Sequence, residues 1–198
     1  DYAQKVPTET WRSSMTIPRE LGLVRENRHY IVSSKPVKEL QNYIAKTIKK
    51  ESLKIDKETV LADKTLVDLS KLDIHFSLKN LKKDVYTFSL SNDAKNTIQF
   101  GINKKENYFF IDRSKSGKLA FSDLFAKNIS KAPFKGDFDK MDVRIIVDKT
   151  SIEIFYNNGK TVMTEIFFPD KPMEYFSVSK ANTDYTIENL IINQLNFN

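Results

Sequence analysis

Along most of the chain, apolar residues fall on every second position. Leu72, Ile74, Phe76 and Leu78 alternate with polar neighbours, and Tyr86, Phe88 and Leu90 alternate with Val85, Thr87 and Ser89. Further strand-like runs cover 98–102, 108–111, 143–147, 152–156, 161–167, 175–178 and 185–191. A two-residue period puts one set of side chains on one face of a strand, which is the pattern of sheets with one buried side. Polar turns separate the runs at about the 8–12-residue spacing of an all-β sandwich. The clearest unit is "SIEIFYNNGKTVMTEIFFP" at 151–169, two apolar runs around Asn157-Asn158-Gly159. Asn and Gly tolerate the positive φ of a tight hairpin turn, so this stretch reads as a β-hairpin.

The start of the chain departs from this pattern. Met15, Ile17, Leu21 and Leu23, then Tyr30 and Val32 beyond the polar Arg25-Glu26-Asn27-Arg28, predict two strands joined by a turn. Ser34 can cap a helix, Pro36 suits its first turn, and Val37, Leu40 and Ile44 share one helical face, which predicts a short linker helix over 34–45. A lone strand pair cannot hide an apolar face. The first 33 residues therefore either add to the sandwich edge or belong with another domain, and residues 46–198 form the sandwich.

Composition narrows the function. The 198 residues hold no cysteine, which excludes disulfides, thiolate metal sites and a cysteine nucleophile. The two histidines, His29 and His75, lie in unrelated local patterns, and no metal or cofactor is expected. The net charge is +6, but it comes from 26 scattered lysines with only 6 arginines. Arginine is the side chain that forks onto phosphate and guanine, so a solvated surface is expected and no nucleic-acid partner. No apolar run approaches the roughly 18–20 residues of a membrane-spanning helix. Asp1–Lys5 has neither the basic start nor the apolar stretch of a signal peptide.

Candidate chemistry is thin. Glycosidases set two carboxyl groups across a cleft, roughly 5–5.5 Å apart for retention. Here the acidic residues read as strand exteriors or turns. Glu153 alternates outward between Ile152 and Ile154, Asp148 and Asp170 stand at strand ends, and Asp137 and Asp139 flank Phe138 in a loop. There is no phosphate-binding glycine loop and no nucleophile elbow. Asp112-Arg113-Ser114-Lys115-Ser116-Gly117 reads as a hairpin turn with a local ion pair.

One tract adds a resemblance. In "KVPTETWRSSMTIPREL", Pro7-Thr8, Trp11-Arg12 and then Met15 to Leu21, including Pro18 and Arg19, resemble the tract closing the catalytic domain of glycoside hydrolase family 32. That family comprises the levanases, inulinases and invertases. Pro36 with Glu39-Leu40 is similar to its linker helix and "DRSKSG", with Asp112 and Arg113, to its Asp-Arg hairpin. "VRIIVDKTSIEIFYNNGKTVMTEIFFP" at 143–169, with Asp148 and Glu153, is similar to its C-terminal strand pair. The resemblance implies a β-propeller carrying the active site, followed by a β-sandwich. Residues 1–33 would then be the last propeller strands, 34–45 the linker and 46–198 the sandwich.

The family's nucleophile lies in Asn-Asp-Pro-Asn-Gly, its transition-state stabiliser in Arg-Asp-Pro and its acid in Glu-Cys. None of these occurs in the sequence. The resemblance places all three ahead of Asp1, so no catalytic residue is assigned. For the intact enzyme it implies retaining hydrolysis of β-fructosyl linkages in fructans or sucrose. This chain would be a non-catalytic module stabilising the propeller of the same polypeptide, with a homodimer contact as a further expectation. Trp11 is the substrate-binding candidate, set against a role as a ring wedged between propeller and sandwich. The alternative is a carbohydrate-binding or lectin-like module presenting Phe155, Phe168 and Tyr175. The resemblance favours a secreted, periplasmic or surface location, with a cytoplasmic one also compatible, and Asn128-Ile129-Ser130 fits a glycosylation acceptor.

Overall fold

The computed structural model describes residues 2–26 and 28–197. Asp1, Asn198 and Asn27, the last within the turn expected between the first two strands, lie outside the described residues. Strands are numbered in chain order. β1 (Arg19–Glu26) and β2 (His29–Pro36) form a hairpin of their own. One six-stranded sheet, sheet I, runs β12 (Thr161–Ile166), β11 (Ser151–Tyr156), β10 (Lys140–Asp148), β5 (Lys71–Lys79), β14 (Tyr185–Leu195) and β3 (Ile44–Ile55). The other, sheet II, runs β4 (Thr59–Asp63), β13 (Tyr175–Val178), β6 (Val85–Ser91), β7 (Thr97–Asn103), β8 (Tyr108–Lys115) and β9 (Ser130–Pro133). Every pairing is antiparallel.

The alternating apolar sets of both sheets meet in one core. Phe88, Phe100 and Phe176 stack across neighbouring strands of sheet II, with ring centroids 5.9–6.5 Å apart. Phe76 meets Phe88 across the layers at 5.0 Å, and Tyr156 stacks on Phe109 at 3.9 Å. Tyr156 is fully buried, which pushes its hydroxyl pKa up, and its O–H donates to the Gly101 carbonyl at 3.3 Å. β3 is an edge strand whose outer positions carry exposed lysines such as Lys46 and Lys49, which discourages pairing with another chain.

Three expectations need correction. The linker is a 3-10 helix over Lys38–Tyr43, shorter than the predicted 34–45. Ser34 and Pro36 lie in β2, and Val37 at the helix start makes no side-chain cap. Pro36 fits there because it closes a strand, and only Leu40 of the 3-10 helix is buried. The 112–117 tract is not a turn throughout, since Asp112 to Lys115 continue β8. Finally, Met15 and Ile17 precede the first strand, and no propeller blade is evident among the described residues beyond the hairpin itself.

Candidate functional site

β11 is buried on both faces, although it lies next to the edge of its sheet. Ile152, Ile154 and Tyr156 enter the sandwich core, while Glu153 and Phe155 point to the outer face of sheet I. There the N-terminal tract covers them. Phe155 packs with Ile146, Leu195 and Leu40 of the 3-10 helix, and Ile17 and Val162 join from the rim.

Glu153 is 3% exposed, which overturns its reading as a solvated strand exterior. An ionised carboxylate survives such burial only with matched donors. The Ile17 N–H donates to Oε1 at 2.8 Å, and Arg19 Nε donates to Oε2 at 3.1 Å. Arg19 Nη2 also pairs with Oε2 and donates to Thr164 Oγ1 at 2.8 Å. The Arg19 guanidinium lies 5.2 Å from the Phe155 ring centre. Two tracts 134 residues apart in sequence are thus joined by one forked ion pair.

The β11–β12 turn makes a second junction. Asn157, Asn158 and Gly159 all have positive φ, as their sequence implies. A Cβ on Gly159 would lie 2.0 Å from the Ser34 carbonyl oxygen, so only glycine lets the turn meet β2 this closely. The Ser34 N–H donates to the Gly159 carbonyl at 2.9 Å, and Lys160 pairs with Glu26 at 2.7 Å.

Arg113 makes a third. It is buried and reaches from sheet II to sheet I, where Nη1 donates to the Ile166 carbonyl at 2.8 Å and pairs with Glu165 at 3.0 Å. Its guanidinium stacks 4.2 Å over Phe125, within a small cluster of Val6, Phe125 and Phe168. The expected local pair with Asp112 is not made. Asp112 instead accepts the Ser114 N–H at 2.9 Å.

The remaining sequence candidates have plain placements. Thr8 bonds the Trp11 carbonyl, and Arg12 Nη1 donates to Thr8 Oγ1 at 2.8 Å and to the Trp11 carbonyl at 3.1 Å. Trp11 is 45% exposed and borders a small apolar hollow with Val6 and Phe168. Pro7 is partly covered, and the Pro18 carbonyl accepts the Val37 N–H at 3.1 Å. Asp148 ends β10 and accepts the Lys149 N–H at 2.7 Å. Of the aromatics considered for sugar stacking, Phe155 and Phe168 are buried, and the Tyr175 hydroxyl is tied to Asp93 at 3.1 Å.

The buried carboxylates each have their own donors. Asp84 accepts from the Val85 N–H at 2.9 Å and the Asn182 side chain at 2.7 Å. Asp73 accepts from Arg144 Nε and Nη2, both at 2.9 Å, and lies 2.9 Å from His75 Nε2. Burial pushes the Asp73 carboxyl up, but the His75 and Arg144 hydrogen bonds outweigh it and hold the group below the usual carboxylate range. Asp93 and Glu174 share Lys64 at the open surface, at 3.6 and 2.6 Å. The geometry displays binding and bracing groups, with no acid facing a nucleophile across a cleft among the described residues.

Comparison with known proteins gives a consistent picture. Residues 39–194 match the family described as glycosyl hydrolases family 32 C terminal. The chain is 32% identical to a levanase of Bacillus subtilis over 196 residues, covering 98% of this chain and 29% of the relative. It is 28% identical over 172 residues to an extracellular exo-inulinase of Aspergillus niger, covering 85% of this chain and 32% of that protein. Among solved structures, a fructofuranosidase of Schwanniomyces occidentalis complexed with fructose superimposes with a TM-score of 0.79 at 23% identity, over 99% of this chain and 43% of that one. An exo-inulinase of Aspergillus awamori does so with a TM-score of 0.77 at 20% identity, over 98% and 38%. The chain spans about a third of the length of the relatives it matches.

Proposed function

This chain belongs to the C-terminal domain family of the family 32 glycosyl hydrolases, and from that premise we propose that it is the non-catalytic β-sandwich module of a fructan- or sucrose-hydrolysing enzyme of levanase, inulinase or invertase type. The observation that carries the reading is the state of the β1–β2 hairpin. It is held to the sandwich along the β2 edge by the Ser34 N–H and near its ends by the Lys160–Glu26 and Arg19–Glu153 pairs. Between those ends one face of the hairpin exposes Leu21, Leu23, Tyr30 and Val32. A contiguous apolar sheet face marks an interaction surface. On this reading the occupant is the catalytic propeller of the same polypeptide, with β1 and β2 its closing strands. Covering each leucine would contribute at most about 1.5–3 kcal/mol.

Catalysis on this reading belongs to the propeller, and the sandwich braces its last strands through the Glu153 junction and the β11–β12 turn junction. Trp11, on the tract leading into β1, is the candidate of this chain for the rim of the propeller's sugar pocket. The relatives named extracellular support a secreted or surface location. No helix among the described residues is long and apolar enough to cross a membrane.

The test is an activity assay of this chain on levan, inulin and sucrose. No fructose release is expected, and turnover above the blank overturns the reading. In a longer polypeptide carrying a catalytic portion, Trp11→Ala separates the two roles of that ring. Loss of substrate affinity at an unchanged Tm assigns it to sugar, and a lowered Tm assigns it to packing.

A further inference from the structure

The outer face of sheet I holds a second feature, beyond the Glu153 junction. A cleft of about 330 Å³ lies between the β11–β12 turn, the end of β2 and the outward side chains of β5, β10 and β14. Its polar lining includes Lys35, His75, Asp142, Arg144, Asn158 and Asn189, with Ser77 beside Asp142. Pro36, Phe155 and Ile191 supply apolar surface beside them. A concave site of this size with a few convergent polar groups is the common form of a small-ligand site.

The cleft is organised from behind. Asp73 is buried at 3% exposure and occupies Arg144 Nε and Nη2 together with His75 Nε2. That fixes the guanidinium and the imidazole while leaving Arg144 Nη1 and His75 Nδ1 without a partner among the described residues. The side chains of Lys35, Asn158 and Asn189 likewise make no hydrogen bond or ion pair there. Two of these residues are aimed by unusual backbone. Asn158 sits in the turn held by Gly159, and Asn189 has a φ of 51° at the irregularity where β14 passes β5. Bulges recur where a side chain must be re-aimed.

The charges nearly cancel. Lys35 and Arg144 face Asp142 and the buried Asp73, so an anion gains little net attraction. Asp142 already accepts the Ser77 hydroxyl at 2.5 Å, which fixes one carboxylate oxygen and leaves the other open. Amide, carboxylate and guanidinium groups are planar donors and acceptors, suited to pairs of neighbouring hydroxyls that both donate and accept. We propose that this cleft is a saccharide subsite, binding one sugar unit of a neutral oligosaccharide through adjacent hydroxyls. Of the aromatics expected to form a platform, Phe155 and Phe168 are buried and the Tyr175 hydroxyl is tied to Asp93, and a polar cleft takes their place. The choice of a fructosyl unit rests on the proposed function, whereas the subsite itself rests on the cleft.

The test is an NMR titration of the chain with an inulin-type and a levan-type oligosaccharide, a glucose-based oligosaccharide and inorganic phosphate. Sugar binding should move the amide signals of Lys35, His75, Arg144, Asn158 and Asn189. His75→Ala should weaken binding roughly tenfold. Arg144→Ala leaves Asp73 without its main partner, so Lys35→Ala, at an exposed and unpaired side chain, is the variant that keeps the fold while weakening binding severalfold. No shift with any sugar, shifts elsewhere on the surface, or shifts with phosphate alone overturn the proposal. Binding of the glucose-based sugar alone at these residues upholds the subsite and counts against a fructan substrate, a result the activity assay cannot mimic.

Discussion

β11 and the β1–β2 hairpin are built from the same alternation, yet one is covered on both faces and the other on one. Along β11 the inward set is buried in the sandwich and the outward set, Glu153 and Phe155, lies under the N-terminal tract. In the hairpin, Ser33 is buried and Val24 and Ile31 are partly covered, while Leu21 and Leu23 on the opposite face are 70% and 65% exposed. The register explains the split, because Leu21, Leu23, Tyr30 and Val32 fall at one parity and share a face, while Val24, Ile31 and Ser33 fall at the other. Alternation tells which residues share a face. Whether that face is buried depends on a partner elsewhere in the chain.

The sharpest contrast comes from a core truncation. Phe176→Ala removes a fully buried ring from the Phe88–Phe100–Phe176 stack and should cost about 3–5 kcal/mol, read by urea denaturation. Glu153→Gln comes next. It leaves Arg19 facing an amide at a covered site and should cost about 2–3 kcal/mol, less than a fully buried pair because Arg19 keeps some solvent. A loss below about 0.5 kcal/mol would mean that the N-terminal tract is not held as described.

Acid should act through Asp73. Its folded pKa is depressed, so its contribution is present above the unfolded value of about 4 and lost as pH falls through the folded one. Asp73→Asn should be less stable than the parent at neutral pH by about 1–3 kcal/mol, with the gap closing below about pH 4. Thermal melts across that window check the sign, and a gap that widens in acid would contradict it.

Much of the sandwich was legible because its strands keep a strict two-residue period. β3 was not singled out, and its apolar positions show why. Leu53 and Ile55 face the core at one parity and Ile48 at the other. The change follows Asn189 on the partner strand, where left-handed backbone shifts the inward set from Ile187 to Leu190. Such a shift resides in another segment, so the period of β3 alone cannot reveal it. Glu153 was misread for a related reason. Its outward parity was correct, but burial came from Ile17 and Arg19, more than 130 residues away in sequence. Arg113 carried a local motif whose partner, Glu165, proved to lie on the other sheet. The polar cleft left no sequence signal, since Lys35, His75, Arg144 and Asn158 come from four separate segments.

The smallest expected effect sharpens the comparison most. Leu23→Ser in the hairpin removes an apolar side chain that is already 65% exposed and whose cross-strand neighbour, Val32, is exposed as well. In this chain the change should alter stability by no more than about 0.5 kcal/mol, as surface substitutions do. In a longer polypeptide carrying the catalytic portion, the same change should cost about 1–2 kcal/mol or more, because there the serine would occupy a buried apolar face. Equal, negligible losses in both settings would show that nothing covers the hairpin. A large loss in this chain alone would show that the hairpin already has its cover within these residues, and the difference between the two faces of the molecule would then need another origin.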